Sequence, residues 1–427
     1  ADLATEPRWQ RIEGTFGENA EWAGKMITEI VQGFQGAKLN SSSVALTIKH
    51  FPGGGAGVGG QDPHFHWGKN EHFPGGKFEN NLIPFIAAIK AGTSAIMPYY
   101  SIPLNTKYEQ VAYAYNKGVI DDLLRTELGF RGIINSDTGP IDMMPWGVES
   151  LSITERYKKA LEAGVNLFSG GADPGKLLET VKKGMVEKTL IENSVLRLLL
   201  EKFELGLFEN PYVDEAAAEK IAGNAAFQQK ADLALRKSVV LLRNETKTLP
   251  IKPKTKVYFE SYFQNRDANP HNVYTSTDHP YGIEFVATPE EADQIILWIT
   301  PGSKSMMSSD GSPLFLSLSK NAVDIDYIKN LTAKKPTILV INYTNPWVID
   351  EIYNPKTNKN IKGVMATFGT TREALLDVIT GKFKPTGKMP FTTPVSEEAA
   401  QNQLSDVPGY LKGASYGLFK YREGLSY

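Results

Sequence analysis

The sequence predicts an α/β protein with two parallel-sheet units, a (β/α)-barrel unit first and a doubly wound open sheet second. Three observations carry that expectation. Short apolar runs alternate with amphipathic stretches along both halves, as in sheets covered by helices. Polar residues collect at the ends of the early runs, where barrel enzymes place their chemistry. A Gly followed by Asn-Pro, in GLFENPYVD (206–214), separates the halves.

In the first half the strand candidates are 43–51, 93–100, 131–137 and 164–170, with a further one at Asp2–Thr5. Helices are expected over 19–34, where Met26, Ile27, Ile30, Val31 and Phe34 recur at helical spacing, and over 188–204, where Val195, Leu198, Leu199 and Phe203 do so. The Gly-rich excursion at 52–76 reads as loop. About five strands precede residue 215, where a closed barrel needs eight. The chain is therefore expected to start inside its barrel, with the barrel domain over 1–208, a linker over 209–224 and the second domain over 225–427. Strands of that second domain are expected at 239–243, 256–261, 294–299, 337–343 and 364–368, and a polar loop, 299–312, follows the third of these.

Composition narrows the function. The 427 residues are 41% hydrophobic and 22% charged, with a formal net charge of −2, so no broad positive field exists to hold nucleic acid or an anionic membrane. No apolar run reaches the ~20 residues of a membrane helix, and no signal peptide is visible at ADLATEPRW. A mature exported chain, periplasmic or secreted, is expected, with a cytoplasmic protein as the alternative. The absence of Cys removes disulfides and thiolate metal sites. No cofactor is expected.

Asp137 is the sharpest chemical signal. It ends the strand in GFRGIINSDTG, the position of catalytic groups in barrels; the alternative is a helix N-cap, which Ser-Asp-Thr-Gly also suits. Lys49 and His50 end another strand. A Lys there is expected to be buried and hydrogen-bonded, either at a site or in a structural ion pair. The GGG that follows lacks the GK[ST] of a phosphate loop. Asp62, His64 and His66 lie on the same loop, where a metal is one reading and hydrogen bonding to substrate or backbone the other. Arg11 is a candidate for polar substrate, whereas Arg8 can pair with Glu6, Glu13 or Glu18. Met97 and Tyr100 end the strand after the excursion, as site residues or as core.

With these residues placed, the chain resembles family three glycoside hydrolases. The likeness runs through EPRWQRIEGTFGEN, the KHFPG run, AIMPYYSIP, GFRGIINSD, ALEAGVNLF, LLLEKFELGLFENPYVD, RKSVVLLRNETKTLPI, PTGKMPFTTP and YREGLSY, in family order. The run from KHFPGGG through DPHFHWGKNEHFPGG is similar to a bacterial β-glucosidase subgroup. The resemblance implies a (β/α)8-type barrel, N-terminally incomplete here, then an α/β sandwich domain with a mostly parallel sheet, with the active site at their junction. By motif position Asp137 corresponds to the nucleophile of a retaining enzyme. Arg11, Lys49 and His50 correspond to residues that bind the terminal sugar, and Met97 and Tyr100 to residues that line its subsite.

Three departures follow. The family's barrel begins upstream, in a segment holding an Asp that grips the sugar. Thr138 replaces the Trp common after the nucleophile. Ser309 falls on the family's acid/base Glu, leaving Asp310, the nearest carboxylate, as first choice for that role. The β-N-acetylglucosaminidase branch uses an Asp–His pair instead, which Asp62 and His64 resemble. The expected function is therefore a retaining, exo-acting β-glucosidase acting on an oligosaccharide or β-glycoside. β-Xylosidase or β-N-acetylglucosaminidase specificity and an inactive carbohydrate-binding homologue are the alternatives. A homodimer or an added N-terminal segment is expected to complete the barrel.

Overall fold

The computed structural model describes residues 1–171, 174–263, 269–279, 281–304 and 306–427. The chain divides into two units, the first joining Ala1–Val213 to two later pieces, Ser305–Leu314 and Leu404–Pro408. Its strands are β1 (Thr47–Phe51), β2 (Asn70–His72), β3 (Ala95–Pro98), β4 (Ile102–Leu104), β5 (Ile133–Thr138) and β6 (Leu167–Ser169). Its helices are α1 (Ala20–Gln35), α2 (Phe78–Lys90), α3 (Ile153–Ala163), α4 (Gly175–Lys182) and α5 (Lys188–Glu204), with a π-helical run at Gly118–Glu127.

Four of these strands form a parallel sheet in the order β1-β3-β5-β6. Alternate side chains point to opposite faces. Ile48, Ile96 and Ile134 make one buried row. One residue on, Lys49 pairs with Met97 and Asn135 with Leu167, and that row is uncovered, with Lys49 exposed and Leu167 41% exposed. The expected burial of Lys49 is therefore corrected: its side chain is exposed on this row of the strand.

The segment Asp2–Thr5, expected as a strand, joins no ladder. It is buried as an irregular segment, with the Ala4 N–H donating to Gly17 and the Glu6 N–H to Gly55. Gly55 explains part of the glycine run. A Cβ there would lie 1.9 Å from the Leu3 carbonyl oxygen, so only glycine lets the two backbones touch.

Helix α1 starts where the Asn19 side chain accepts the Trp22 N–H and ends at Gly36, φ 76°. The expected stripe is rotated: Ile27 and Val31 are buried, but Met26 and Phe34 are exposed. Small residues set the contact, since a Cβ on Gly24 would lie 3.3 Å from that of Ala87 in α2, and this turns the larger side chains outward. In α5 the stripe of Val195, Leu199 and Phe203 is also exposed. There Ser194 is the buried residue, accepting from Asn166 at 3.1 Å, so α5 holds the sheet through a polar contact.

The second unit contains α6 (Glu215–Ile221), α7 (Ala225–Ser238), α8 (Ile325–Lys334) and α9 (Arg372–Ile379). Its strands are β7 (Val240–Asn244), β8 (Lys256–Phe263), β9 (His271–Tyr274), β10 (Glu284–Phe285), β11 (Gln294–Thr300), β12 (Thr337–Asn342) and β13 (Ile361–Thr367). The sheet order is β10-β8-β11-β12-β13-β7, with β9 paired to β8. All neighbours are parallel except β7 and β9. β12 is buried at every residue, which is why TILVIN reads as a continuous apolar run.

Beside the first sheet, β2 pairs with β4 and carries Glu71. This carboxyl is fully buried and accepts from the Tyr113 hydroxyl at 2.7 Å, while its other oxygen has no partner among the described residues. Burial pushes its pKa up to about 8, with the Tyr113 bond offsetting only part of the effect. The folded protein thus binds a proton that the unfolded chain has lost, so stability is lost as pH rises from ~4.5 toward 8. Glu71→Gln is expected to raise Tm by an amount that grows between pH 5 and pH 8 and vanishes near pH 4, as read by calorimetry.

Candidate active site

Asp137 sits one residue before the end of β5, 8% exposed. It caps no helix, because the next one, α3, begins at Ile153 with a capping box between Ser152 and Glu155. One carboxylate oxygen accepts the Thr138 N–H at 2.8 Å. The other, Oδ2, is buried without a hydrogen-bond partner and lies 3.5 Å from His50 Nε2. A buried, half-satisfied carboxylate is costly in a finished core. Here the strand end is rigidly held. The Ser169 N–H donates to Ser136 Oγ, the Gly139 N–H donates to the Ser169 carbonyl, and Tyr100 donates to the Thr138 carbonyl at 2.6 Å. Burial and the Asp137 charge raise the Tyr100 pKa, keeping that phenol a donor.

His50, at the end of β1, is 3% exposed. Asp2 holds it from behind: one Asp2 oxygen accepts the His50 and Gly54 N–H groups at 3.0 and 2.7 Å, and the other faces His50 Nδ1 at 2.8 Å. Burial alone would raise the Asp2 pKa. His50 and the Gly54 N–H counter this and hold it below the usual carboxylate range instead. For His50 burial dominates and lowers the pKa, so the ring is neutral. Its Nε2 lies 3.4 Å from Arg11 Nη2, and its ring packs 4.5 Å from that of Tyr99.

On the loop after β1, Asp62 is fully buried. Its Oδ1 accepts the His64 N–H at 3.0 Å and a short bond from His64 Nδ1, while Oδ2 has no partner. Burial acts to raise the Asp62 pKa, but the His64 bonds outweigh it and leave the group an anion. The His64 ring meets Tyr100 edge-on at 4.9 Å, whereas His66 is exposed against Trp67. Arg11 Nη1 and the Tyr99 hydroxyl are likewise buried with no hydrogen bond to any other described residue, though each interacts with the other. Donors and acceptors are left open together, which suits a ligand bearing several hydroxyls.

The chain was compared with known proteins. Residues 1–200 match the model of the glycosyl hydrolase family 3 N terminal domain, and residues 239–427 match the model of its C-terminal domain. The chain belongs to glycosyl hydrolase family 3. It is 40% identical to Beta-glucosidase C of Emericella nidulans, over all of this chain and 68% of that protein. It is 39% identical to Probable beta-glucosidase C of Aspergillus flavus, over all of this chain and 66% of that protein. To the Periplasmic beta-glucosidase/beta-xylosidase of Dickeya chrysanthemi it is 34% identical, over 96% of this chain and 64% of that one. The chain thus spans about two thirds of the length of these curated relatives. Among solved structures it superimposes on a beta-glucosidase from Listeria innocua in complex with glucose, TM-score 0.81 and 22% identity, over all of this chain and 64% of that one. That likeness shows the fold, a barrel-type unit followed by an α/β sandwich domain.

In this family 3 chain the structure gathers Asp137, His50, Arg11, Tyr100, Asp62 and His64 into linked contacts. Thr138 is exposed beside Asp137, and Met97 and Lys49 lie on the open row of the sheet. Asp310 is exposed and turns onto its own loop, accepting from the Ser312 N–H at 3.0 Å and from the Ser312 hydroxyl at 2.5 Å. Ser309 is also committed, accepting from Trp67 Nε1 at 2.9 Å and donating to Gln61 at 3.3 Å. Arg8 pairs with Glu6, one of its expected partners. Sequence reading missed Asp2 and Tyr99. Asp2 lies 48 residues from its partner His50, so no local pattern marks it.

Removing the Tyr100 hydroxyl leaves the Thr138 carbonyl short of its donor. Tyr100→Phe is expected to lower stability by about 1–3 kcal/mol in urea unfolding with an unchanged m-value.

Proposed function

We propose that this chain carries the catalytic groups of a retaining, exo-acting β-glycosidase for terminal β-linked glucose or xylose, with Asp137 as nucleophile. The observation behind this reading is the buried Oδ2 of Asp137, at the end of β5, neighboured by His50 and Tyr100 and without a hydrogen bond among the described residues. Relatives named beta-glucosidase and beta-glucosidase/beta-xylosidase support the sugar class. In the first step Oδ2 attacks the anomeric carbon as the glycosidic C–O bond breaks, and the leaving oxygen takes a proton. In the second, water gives up a proton, attacks the same carbon and frees Asp137 with retained configuration. Arg11 and His50 hold hydroxyls of the ring, Tyr100 and Met97 line the subsite, and Lys49 reaches substrate from the open row.

For the proton carrier, geometry favours His64 over Asp310. His64 is backed by a buried anion, Asp62, which stabilises the imidazolium, and it borders the Tyr100 ring that anchors the nucleophile's strand end. Asp310 is exposed, with one carboxylate oxygen accepting from the Ser312 N–H and hydroxyl. An Asp–His carrier also keeps N-acetylglucosamine among the sugars to be tested. No helix among the described residues is long and apolar enough to cross a membrane. The Dickeya relative's name supports a periplasmic or secreted setting. The uncovered row of the first sheet suits a further chain segment or a second protomer, so activity is to be measured on this chain and on one extended upstream.

A 2-fluoro glucoside with a good leaving group is expected to label Asp137 stoichiometrically, and Asp137→Asn to lower kcat by roughly 10³-fold or more on aryl glucosides. A labelled peptide lacking Asp137 in mass spectrometry defeats the assignment. His64→Ala is expected to cost roughly 10²-fold or more on disaccharides and far less on dinitrophenyl glucosides, which need no proton. Azide should then yield a β-glycosyl azide. The same pattern from Asp310→Ala, with His64→Ala near wild type, would return the role to Asp310.

A further inference from the structure

We propose that Asp2 is a positioning residue that locks His50 in the Nδ1–H tautomer, so that Nε2 meets substrate as an acceptor and His50 donates nothing to Asp137 Oδ2. The inference rests on the glycosidase reading for its catalytic meaning, but the tautomer follows from geometry alone. Asp2 Oδ1 is occupied by two backbone donors, the N–H groups of His50 and Gly54, so the carboxylate cannot rotate. Asp2 Oδ2 therefore faces His50 Nδ1 at 2.8 Å, and an ionised carboxylate only accepts, which places the imidazole proton on Nδ1.

The ring's other nitrogen then carries a lone pair. It lies between a donor, Arg11 Nη2 at 3.4 Å, and an acceptor, Asp137 Oδ2 at 3.5 Å. In this tautomer Arg11 can donate to Nε2, and Asp137 receives nothing from His50, in keeping with its unpartnered Oδ2. A sugar hydroxyl entering the gap finds an acceptor at Nε2. In the opposite tautomer, Nε2–H would face the Arg11 donor and would donate to Asp137, drawing charge from the attacking oxygen. Tyr99, whose ring lies 4.5 Å from that of His50, closes a further side and offers the imidazole edge no carboxylate.

The same bonding predicts what an amide does. In Asp2→Asn the side-chain oxygen stays with the two backbone N–H groups, and its NH2 turns to His50 Nδ1. The amide donates there, so the imidazole proton must move to Nε2. The shape is nearly unchanged while the tautomer inverts, as expected wherever a carboxylate behind a histidine becomes an amide.

The test uses the full chain with ¹⁵N-labelled histidine and two-bond ¹H–¹⁵N spectra at pH 7, with His50 assigned by loss of its signals in His50→Gln. Wild type is expected to show the Nδ1–H pattern and Asp2→Asn the Nε2–H pattern. On aryl glucosides Asp2→Asn is expected to lower kcat/KM roughly 10- to 100-fold, with kcat falling more than KM rises. An Nε2–H or imidazolium pattern in wild type, or an unchanged tautomer in a folded Asp2→Asn, overturns the inference. So does an inverted tautomer with wild-type kcat. The spectra need no turnover, so a chain that hydrolyses no glycoside counts against the glycosidase reading while the tautomer is still decided.

Discussion

The first unit is organised around one buried carboxylate. Asp2 draws together the N-terminal segment, the end of β1 and the glycine loop through three donors on two residues. An ionised group removed from water is tolerated only when its oxygens are satisfied. That requirement fixes the backbone at His50 and Gly54 and, through the imidazole, the space before Asp137. Gly55 adds the steric half of the constraint, since any side chain there would strike Leu3. The arrangement around His50 is thus inherited from contacts lying behind it.

Two buried acids in this unit reach opposite protonation states, and donor count decides which. Asp2, with the His50 ring and two backbone N–H groups, is held ionised. Glu71, with the Tyr113 hydroxyl and an oxygen unpartnered among the described residues, has its pKa pushed up to about 8 by burial. Asp62 follows Asp2, because His64 supplies both a ring and a backbone donor. Burial penalises charge in all three, so only the local donors differ. Negative charge is thereby retained beside His50 and disfavoured at the β2–β4 pair.

The strands were legible because parallel strands buried on both faces read as uninterrupted apolar runs; β11 and β12 are examples. The strand-end position of Asp137 was legible because a carboxylate ends such a run. Side-chain faces were less so. Met26 and Phe34 fit a helical stripe, yet a Gly24–Ala87 contact set the angle of α1 and left them in solvent. Lys49 looked costly at a strand end, but its row is uncovered. Asp2 could not be found locally, since a lone acid in a short apolar run resembles a strand and its partner is 48 positions away. Asp310 was chosen by nearness in sequence to the expected position, and its local contact with Ser312, through one carboxylate oxygen, could not be read from the sequence.

Asp406 accepts the Gly75 and Lys77 N–H groups at 2.9 and 2.8 Å, and Trp67 holds Ser309. Residues numbered beyond 300 therefore finish a body that the chain began near residue 1. Recombination that exchanged the two halves at residue 213 would strip the loop around Asp62 and His64 of its outer supports. Such a protein is modular in appearance but not in inheritance: ancestral shuffling would have had to carry both late loops along, or rebuild them.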